Sequence, residues 1–233
     1  AHGTPLAVGL NFRFLPVSQK VRELVTQEVV GAPGFGQFTY QRNRDGMLPH
    51  LNKYPLTMQH PMMLEQTIHH LDLIRFCYNR RVEEIACRTW NPSWSMYAHD
   101  SNVNCLLGMT GGLEVNYLGT WTGGWNSLQF EWRTDCAGGV IVQRELFENL
   151  AWAKMGDSEL QPIPLAPCQA FFDDTAALWQ AFIAHVQAGA PLSCSGADHL
   201  VTLGLCFAAI ESSDTGRTVD FVAYCRKHGI LDA

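Results

Sequence analysis

Three observations predict an α+β fold. Apolar residues alternate with period two through most of 82–143, amphipathic helical segments lie before and after that stretch rather than within it, and tight turns such as Thr110-Gly111-Gly112 join consecutive strands. Strands joined by short turns run antiparallel. The expected architecture is therefore a large, predominantly antiparallel (mixed) sheet with helices packed on one face and the open face used for oligomerisation.

The elements follow in order. Residues 6–14 read as an apolar strand that ends in the polar groups of Asn11 and Arg13. A helix is expected over about 18–30, opened by Ser18, carrying Val21, Leu24, Val25 and Val29 on one face and stopped by Gly31. Phe35–Arg42 reads as a strand, and the polar, proline-bearing stretch 43–62 as a long surface loop of the kind that often carries function. From Met63 to about Tyr78, Leu64, Ile68, Leu71 and Phe76 fit a helix. Val82–Trp90, Asn102–Met109, Leu113–Trp121, Ser127–Thr134 and Val140–Gln143 read as strands; Leu113, Val115 and Tyr117 oppose Glu114 and Asn116, as in a sheet with one buried face. Helices close the chain at 174–188, ending at Gly189, at 196–212, opened by Ser195 and Asp198 in a pattern like a capping box, and at about 220–228.

The composition narrows the function classes. The chain has 233 residues, 47% of them hydrophobic and 16% charged, so it can build a full core in one domain. The net charge of −6, without a Lys/Arg cluster along the sequence, argues against a nucleic-acid partner. No apolar run reaches the length of a membrane span, so no membrane partner is expected. Eight cysteines without a CxxC pair read as free thiols in a cytoplasmic protein. The chain begins Ala1-His2-Gly3, without the charged and apolar regions of a secretion signal and without Met, which reads as a processed product or a piece of a longer protein. Five of the seven tryptophans fall between Trp90 and Trp132 and are expected to pack under helices or at a subunit interface; Trp94, Tyr97, His99 and Asp100 are assigned to a pocket rim.

The chemistry concentrates in Met63–Asp72. On a helix Glu65, His69 and Asp72 recur at i, i+4 and i+7, so an imidazole is flanked on one stripe by two carboxylates. Such an imidazole can move a proton to or from a hydroxyl. The same stripe would also suit a polar surface with one buried, hydrogen-bonded histidine. Metal binding is a weaker alternative, because the adjacent His69 and His70 diverge by about 100° on a helix and the HExxH pattern is absent. Gly31-Ala-Pro-Gly34-Phe-Gly36 follows a helix and precedes a strand, the reverse of a dinucleotide-binding turn. Neither a GxSxG elbow nor a P-loop is present.

In order along the chain, these segments resemble the C-terminal domain of the Gfo/Idh/MocA family, the glucose-fructose oxidoreductase and inositol dehydrogenase group. Val8–Pro16 resembles its strand and N-x-R-F-x-P entry, Val29-Val30-Gly31 its G-x-I-G, Glu65–Asp72 its D-x-x-x-H-x-x-D helix, and Ala208–Ser213 with Gly216–Val219 its closing A-x-x-x-S-A-x-x-G-x-x-V. The resemblance implies that residues 1–233 are a single substrate-binding and oligomerisation domain, and that an N-terminal Rossmann domain carrying NAD or NADP is absent from this chain. By the same resemblance His69 is the acid/base and Glu65 stands where the family has Asp. Asp72 orients the site, while Asn11, Arg13 and His70 are assigned to substrate.

The implied activity is reversible hydride transfer between NAD(P) and a sugar, polyol or related hydroxy compound. The fragment alone should hold no cofactor and not turn over. The alternatives are a non-catalytic binding or assembly module of the same fold and a metal-dependent sugar isomerase using His69 and Asp72. A dimer or tetramer is expected through an apolar open sheet face, with Tyr117, Trp121, Phe130 and Trp132 as its candidates.

Overall fold

The computed structural model describes residues 4–230, so Ala1-His2-Gly3, on which the reading of the chain's start rests, lies outside the described residues. The expected N-terminal strand does not form. Residues 6–8 run extended beside the 194–196 loop, joined by one bridge, Ala7 to Ser195, and by hydrogen bonds from Val8 to Cys194 and from Gly196 to Leu6. No sheet edge lies beside this segment to extend the ladder, and Asn11–Phe14 coils into a short 3-10 turn instead.

Helix α1 (Pro16–Thr26) starts at a proline, whose fixed φ and missing N–H suit the first helical turn. It buries Val17, Val21, Leu24 and Val25. It stops before the expected residue 30 because Glu28 and Gly31 adopt positive φ. Strand β1 (Pro33–Gln41) follows, then the long 42–62 connection with one 3-10 turn, Tyr54–Leu56. A single π-turn, Met63–Thr67, leads into α2 (Ile68–Tyr78), which ends on Asn79 in the left-handed conformation.

The strands β2 (Val82–Trp90), β3 (Asn102–Met109), β4 (Leu113–Thr120), β5 (Gln129–Cys136), β6 (Gly139–Gln143), β7 (Leu150–Lys154) and β8 (Gln161–Pro162) follow. Three helices, α3 (Asp173–Ala188), α4 (Gly196–Thr215) and α5 (Phe221–His228), close the chain, with the short β9 (Val219–Asp220) before the last. The Ser195 hydroxyl caps α4 by accepting from Asp198 N–H, and the Asp220 carboxylate caps α5 by accepting from Ala223 N–H.

The sheet order is β8-β7-β6-β5-β1-β4-β3-β2-β9. Every pairing is antiparallel except β1 with β4, so the expected meander is interrupted by one inserted parallel strand. The 121–128 connection carries the chain past the end of β1, where Gly123 N–H donates to Arg42 C=O.

The two sheet faces differ from the expected assignment. Tyr117, Trp121, Phe130 and Trp132 are all buried; Phe38 packs on Tyr117, Phe130 and Trp132, and the indole N–H of Trp132 donates to Tyr78 of α2. These aromatics belong to the helix-covered core, not to the open face. Period-two alternation separates two sets of residues but does not say which set the helices cover. The open face instead carries Gln37, Thr39, Asn116, Glu131, Arg133 and Asp135, with Phe35 and Leu106 as its exposed apolar members. Of the expected pocket rim, Tyr97 is buried, its hydroxyl donating to Arg44 C=O, while Trp94 is 74% exposed. All eight cysteines are free thiols, and among the described residues no helix is long and apolar enough to cross a membrane.

Candidate active site

The π-turn and α2 place the chemistry-bearing segment between the N-terminal turn and α4. One extra residue in the π-turn shifts the helical rows, so Glu65, His69 and Asp72 part into different surroundings. Glu65 turns toward the 42–62 loop and accepts a hydrogen bond from the Tyr54 hydroxyl at 2.5 Å. That bond to a carboxylate raises the Tyr54 phenol above its ordinary pKa.

Asp72 turns inward and is fully buried. Arg13 grips it with the Nε–Nη2 edge of its guanidinium, Nε at 2.6 Å and Nη2 at 2.5 Å, and Thr202 Oγ1 donates to it from α4 at 3.0 Å. Arg13 also donates to Asp198 at 2.5 Å and to the Ser193 carbonyl. Burial by itself would lower the Arg13 pKa, but hydrogen bonds and charge from Asp72 and Asp198 outweigh it and leave the guanidinium more firmly protonated than usual. These bonds use nearly all of the guanidinium's donors, and Arg13, only 4% exposed, clamps α2 through Asp72.

His70 faces the sheet. It is completely buried, with Nδ1 at 2.9 Å from the Tyr117 hydroxyl and Nε2 at 3.1 Å from the Gln66 amide nitrogen. Phe38 and Tyr40 stack around the ring. Burial pushes its pKa well below the usual histidine value, so it serves as a neutral core residue. The Gln66 N–H donates to Nε2, which leaves Nδ1–H to donate to Tyr117.

His69 occupies the remaining position, partly accessible and against the Phe12 ring with centroids 5.2 Å apart. Phe12 in turn contacts Phe147 and Phe171, which contact each other, so the ring against His69 belongs to a cluster of three aromatics. Burial lowers the His69 pKa; the negative charges of Asp72 and Glu65 partly oppose this, and His199 on α4 adds to the lowering. Neither carboxylate is hydrogen-bonded to the ring, and Nδ1 is buried without a partner among the described residues. A neutral, partly accessible imidazole can accept a proton at its accessible edge from a hydroxyl placed against it. Next to Phe12 in sequence, Asn11 donates to the Asp174 carboxylate at 2.5 Å, and the other Asp174 oxygen is buried without a partner among the described residues.

The sequence reading missed Tyr54, Asp174, His199 and the aromatic pair Phe147 and Phe171. Tyr54 lay in a loop already marked as functional in type, but nothing along the chain joined it to Glu65. His199 follows the α4 cap and carries a lowered pKa and an unpartnered buried Nδ1, features visible only once α4 is laid beside α2. Among the described residues, no three His, Cys, Asp or Glu side chains converge as a metal site would require.

Comparison with known proteins identifies the family of this domain. Residues 18–141 match the family model described as the GFO/IDH/MocA C-terminal domain. The chain is 27% identical over 238 residues to D-apiose dehydrogenase of Rhizobium rhizogenes, an alignment covering 94% of this chain and 65% of that protein. It is 26% identical over 183 residues to the uncharacterized protein y4oX of Sinorhizobium fredii, covering 74% of this chain and 50% of that one. In fold it is similar to an oxidoreductase from Agrobacterium radiobacter solved with NAD+, L-tartaric acid and magnesium, with a TM-score of 0.80 at 23% identity over 94% of this chain and 66% of the other. An inositol dehydrogenase homolog from Azotobacter vinelandii, complexed with NADH and myo-inositol, gives 0.78 at 12% identity over 93% and 64%. The chain thus spans half to about two thirds of the length of the curated relatives it matches. The sheet, nine-stranded among the described residues, matches these solved structures in fold, and with a family model covering more than half of its residues the chain belongs to the GFO/IDH/MocA C-terminal domain family.

Proposed function

We propose that, in the intact protein, this chain is the substrate side of an NAD(P)-dependent dehydrogenase acting on a sugar, polyol or related hydroxy compound. The observation that carries the reading is His69: a partly accessible imidazole kept neutral by burial, packed on the Phe12 ring and hydrogen-bonded to neither Glu65 nor Asp72. D-apiose dehydrogenase among the relatives supports the carbohydrate class.

The reading assigns the cofactor's phosphates to an N-terminal dinucleotide-binding domain outside this chain; in support, no glycine-rich turn joins a strand to a helix among the described residues. A nicotinamide held by that domain would supply the hydride-accepting chemistry. His69 takes the hydroxyl proton as that carbon is oxidised and returns it in the reverse direction. Asn11 holds a neighbouring hydroxyl, and Phe12 shields one side of the imidazole from water. Glu65 acts through charge on His69 while bound to Tyr54, and Asp72 fixes the helix through Arg13.

The test is to follow NAD(P)H formation by the intact protein with a panel of aldoses, polyols and hydroxy acids. Saturable turnover of a polyhydroxylated substrate is expected; absence of turnover across the panel with both nicotinamide cofactors would overturn the reading. The same reading keeps an even-numbered oligomer through the open sheet face, around Phe35 and Leu106, and sedimentation of a clean monomer at micromolar concentration would remove it.

A further inference from the structure

Beside the C-terminal end of α2 lies a cavity of about 300 Å³ lined by five arginines: Arg13, Arg22, Arg75, Arg80 and Arg81. The whole chain has only 16 Lys and Arg residues and a net charge of −6, so this is a local reversal of sign. Arg13 and Arg75 are balanced by Asp72 and Asp198. The other three are not. Arg22 donates to the Phe76 carbonyl and to Asn79 Oδ1, and Arg80 donates to the Thr110 and Gly111 carbonyls. Arg81 is exposed, and among the described residues none of the three forms a salt bridge.

The guanidinium groups are also held in place. Phe76 lies between Arg13 and Arg22, with their central carbons 5.3 and 4.5 Å from the ring centroid, and the backbone carbonyls anchor Arg22 and Arg80. Each anchored group retains N–H donors beyond those it uses, and the fork of an arginine matches a carboxylate or phosphate. Phe76, Val82 and Phe221 add an apolar lining that a bare inorganic ion would not use. His69 is not part of this lining, so occupancy can be read separately from turnover.

We propose that this cavity is a binding site for a small organic anion, a metabolite bearing carboxylate or phosphate groups on a compact carbon body. The intact protein is titrated calorimetrically at low salt with citrate, glucose 6-phosphate and inorganic phosphate. Saturable binding of citrate or glucose 6-phosphate with Kd at or below about 1 mM is expected, and whichever binds more tightly identifies the headgroup. Arg81→Ala, at an exposed side chain whose removal leaves the fold intact, and Arg22→Ala should each weaken binding about tenfold. Arg133→Ala, on the opposite sheet face and paired with Asp135, should not change it. The proposal is overturned if neither organic probe saturates by about 10 mM, if inorganic phosphate binds as tightly as both, or if Arg81→Ala binds like the wild type.

Discussion

Replacing Asp72 by Asn separates the structural reading of this residue from a catalytic one. The substitution keeps the shape but removes the charge that Arg13 grips at 2.5 and 2.6 Å, and both side chains are at most 5% exposed. Removing one partner of a buried ion pair typically destabilises by about 3–5 kcal/mol, because the other charge is left without compensation. Arg13 cannot escape by losing its proton, since Asp72 and Asp198 hold it firmly charged. Two contacts soften the loss: Asp198 remains on Nη2, and the new amide oxygen can still accept one hydrogen bond. We therefore expect about 2–3 kcal/mol, or a Tm lower by roughly 5–10 °C for a chain of this size. Thermal unfolding followed by circular dichroism reads this directly. A cycle with Arg13→Met and the double variant isolates the coupling, and the double variant should recover part of the loss. A Tm within about 1 °C of wild type for Asp72→Asn would refute the clamp.

Two further outcomes follow from the buried side chains. Burial holds the His70 pKa far below its ordinary 6.5, so below that pH the unfolded chain binds a proton that the folded chain does not, and stability falls as pH drops through 6.5 and is level above it. At one pH unit below 6.5 this single group contributes a loss of about 1.4 kcal/mol. The lowered pKa values of His69 and His199 act in the same direction. Denaturant titrations from pH 8 to 5 should show this slope, and His70→Gln should remove about one proton from it; an unchanged slope would contradict the account. Gly36→Ala would drive a methyl group into the Tyr78 hydroxyl and against Val115, disturbing the bonds that Tyr78 makes with Thr134 and Trp132. Overpacking of this kind costs about 1–3 kcal/mol, and a Tm lower by roughly 3–10 °C should register it.

What could be read along the chain was whatever repeats with a fixed period or stops at a distinctive residue. Val82–Trp90 and Asn102–Met109 fall where alternation places them, and α3 ends at Gly189, which adopts positive φ. The expected strand at 6–14 was lost because apolar character does not provide a neighbouring edge to pair with. Strand β7 is short and shows weak alternation, and the insertion of β1 beside β4 depends on a crossover that local pattern does not encode. The site divides in the same way. The Glu65, His69 and Asp72 spacing was visible, but Arg13 meets Asp72 across 59 residues, and no local rule distinguishes an arginine that clamps a carboxylate from one that binds substrate. His70 next to His69 differs from it only in facing the sheet, where Tyr117 and Gln66 complete its hydrogen bonds.

The central claim rests on His69 as the group that moves the proton. The most direct measurement compares kcat for NAD(P)+-linked oxidation of the turned-over sugar or polyol in the intact wild-type protein and in His69→Ala, with matched Tm values confirming the fold. Loss of a general base of this kind should lower kcat by about 10²–10⁴-fold and remove the acid limb of the kcat/KM profile, a limb that the lowered His69 pKa places below 6.5. An unchanged kcat, or an acid limb retained in the variant, would contradict the account.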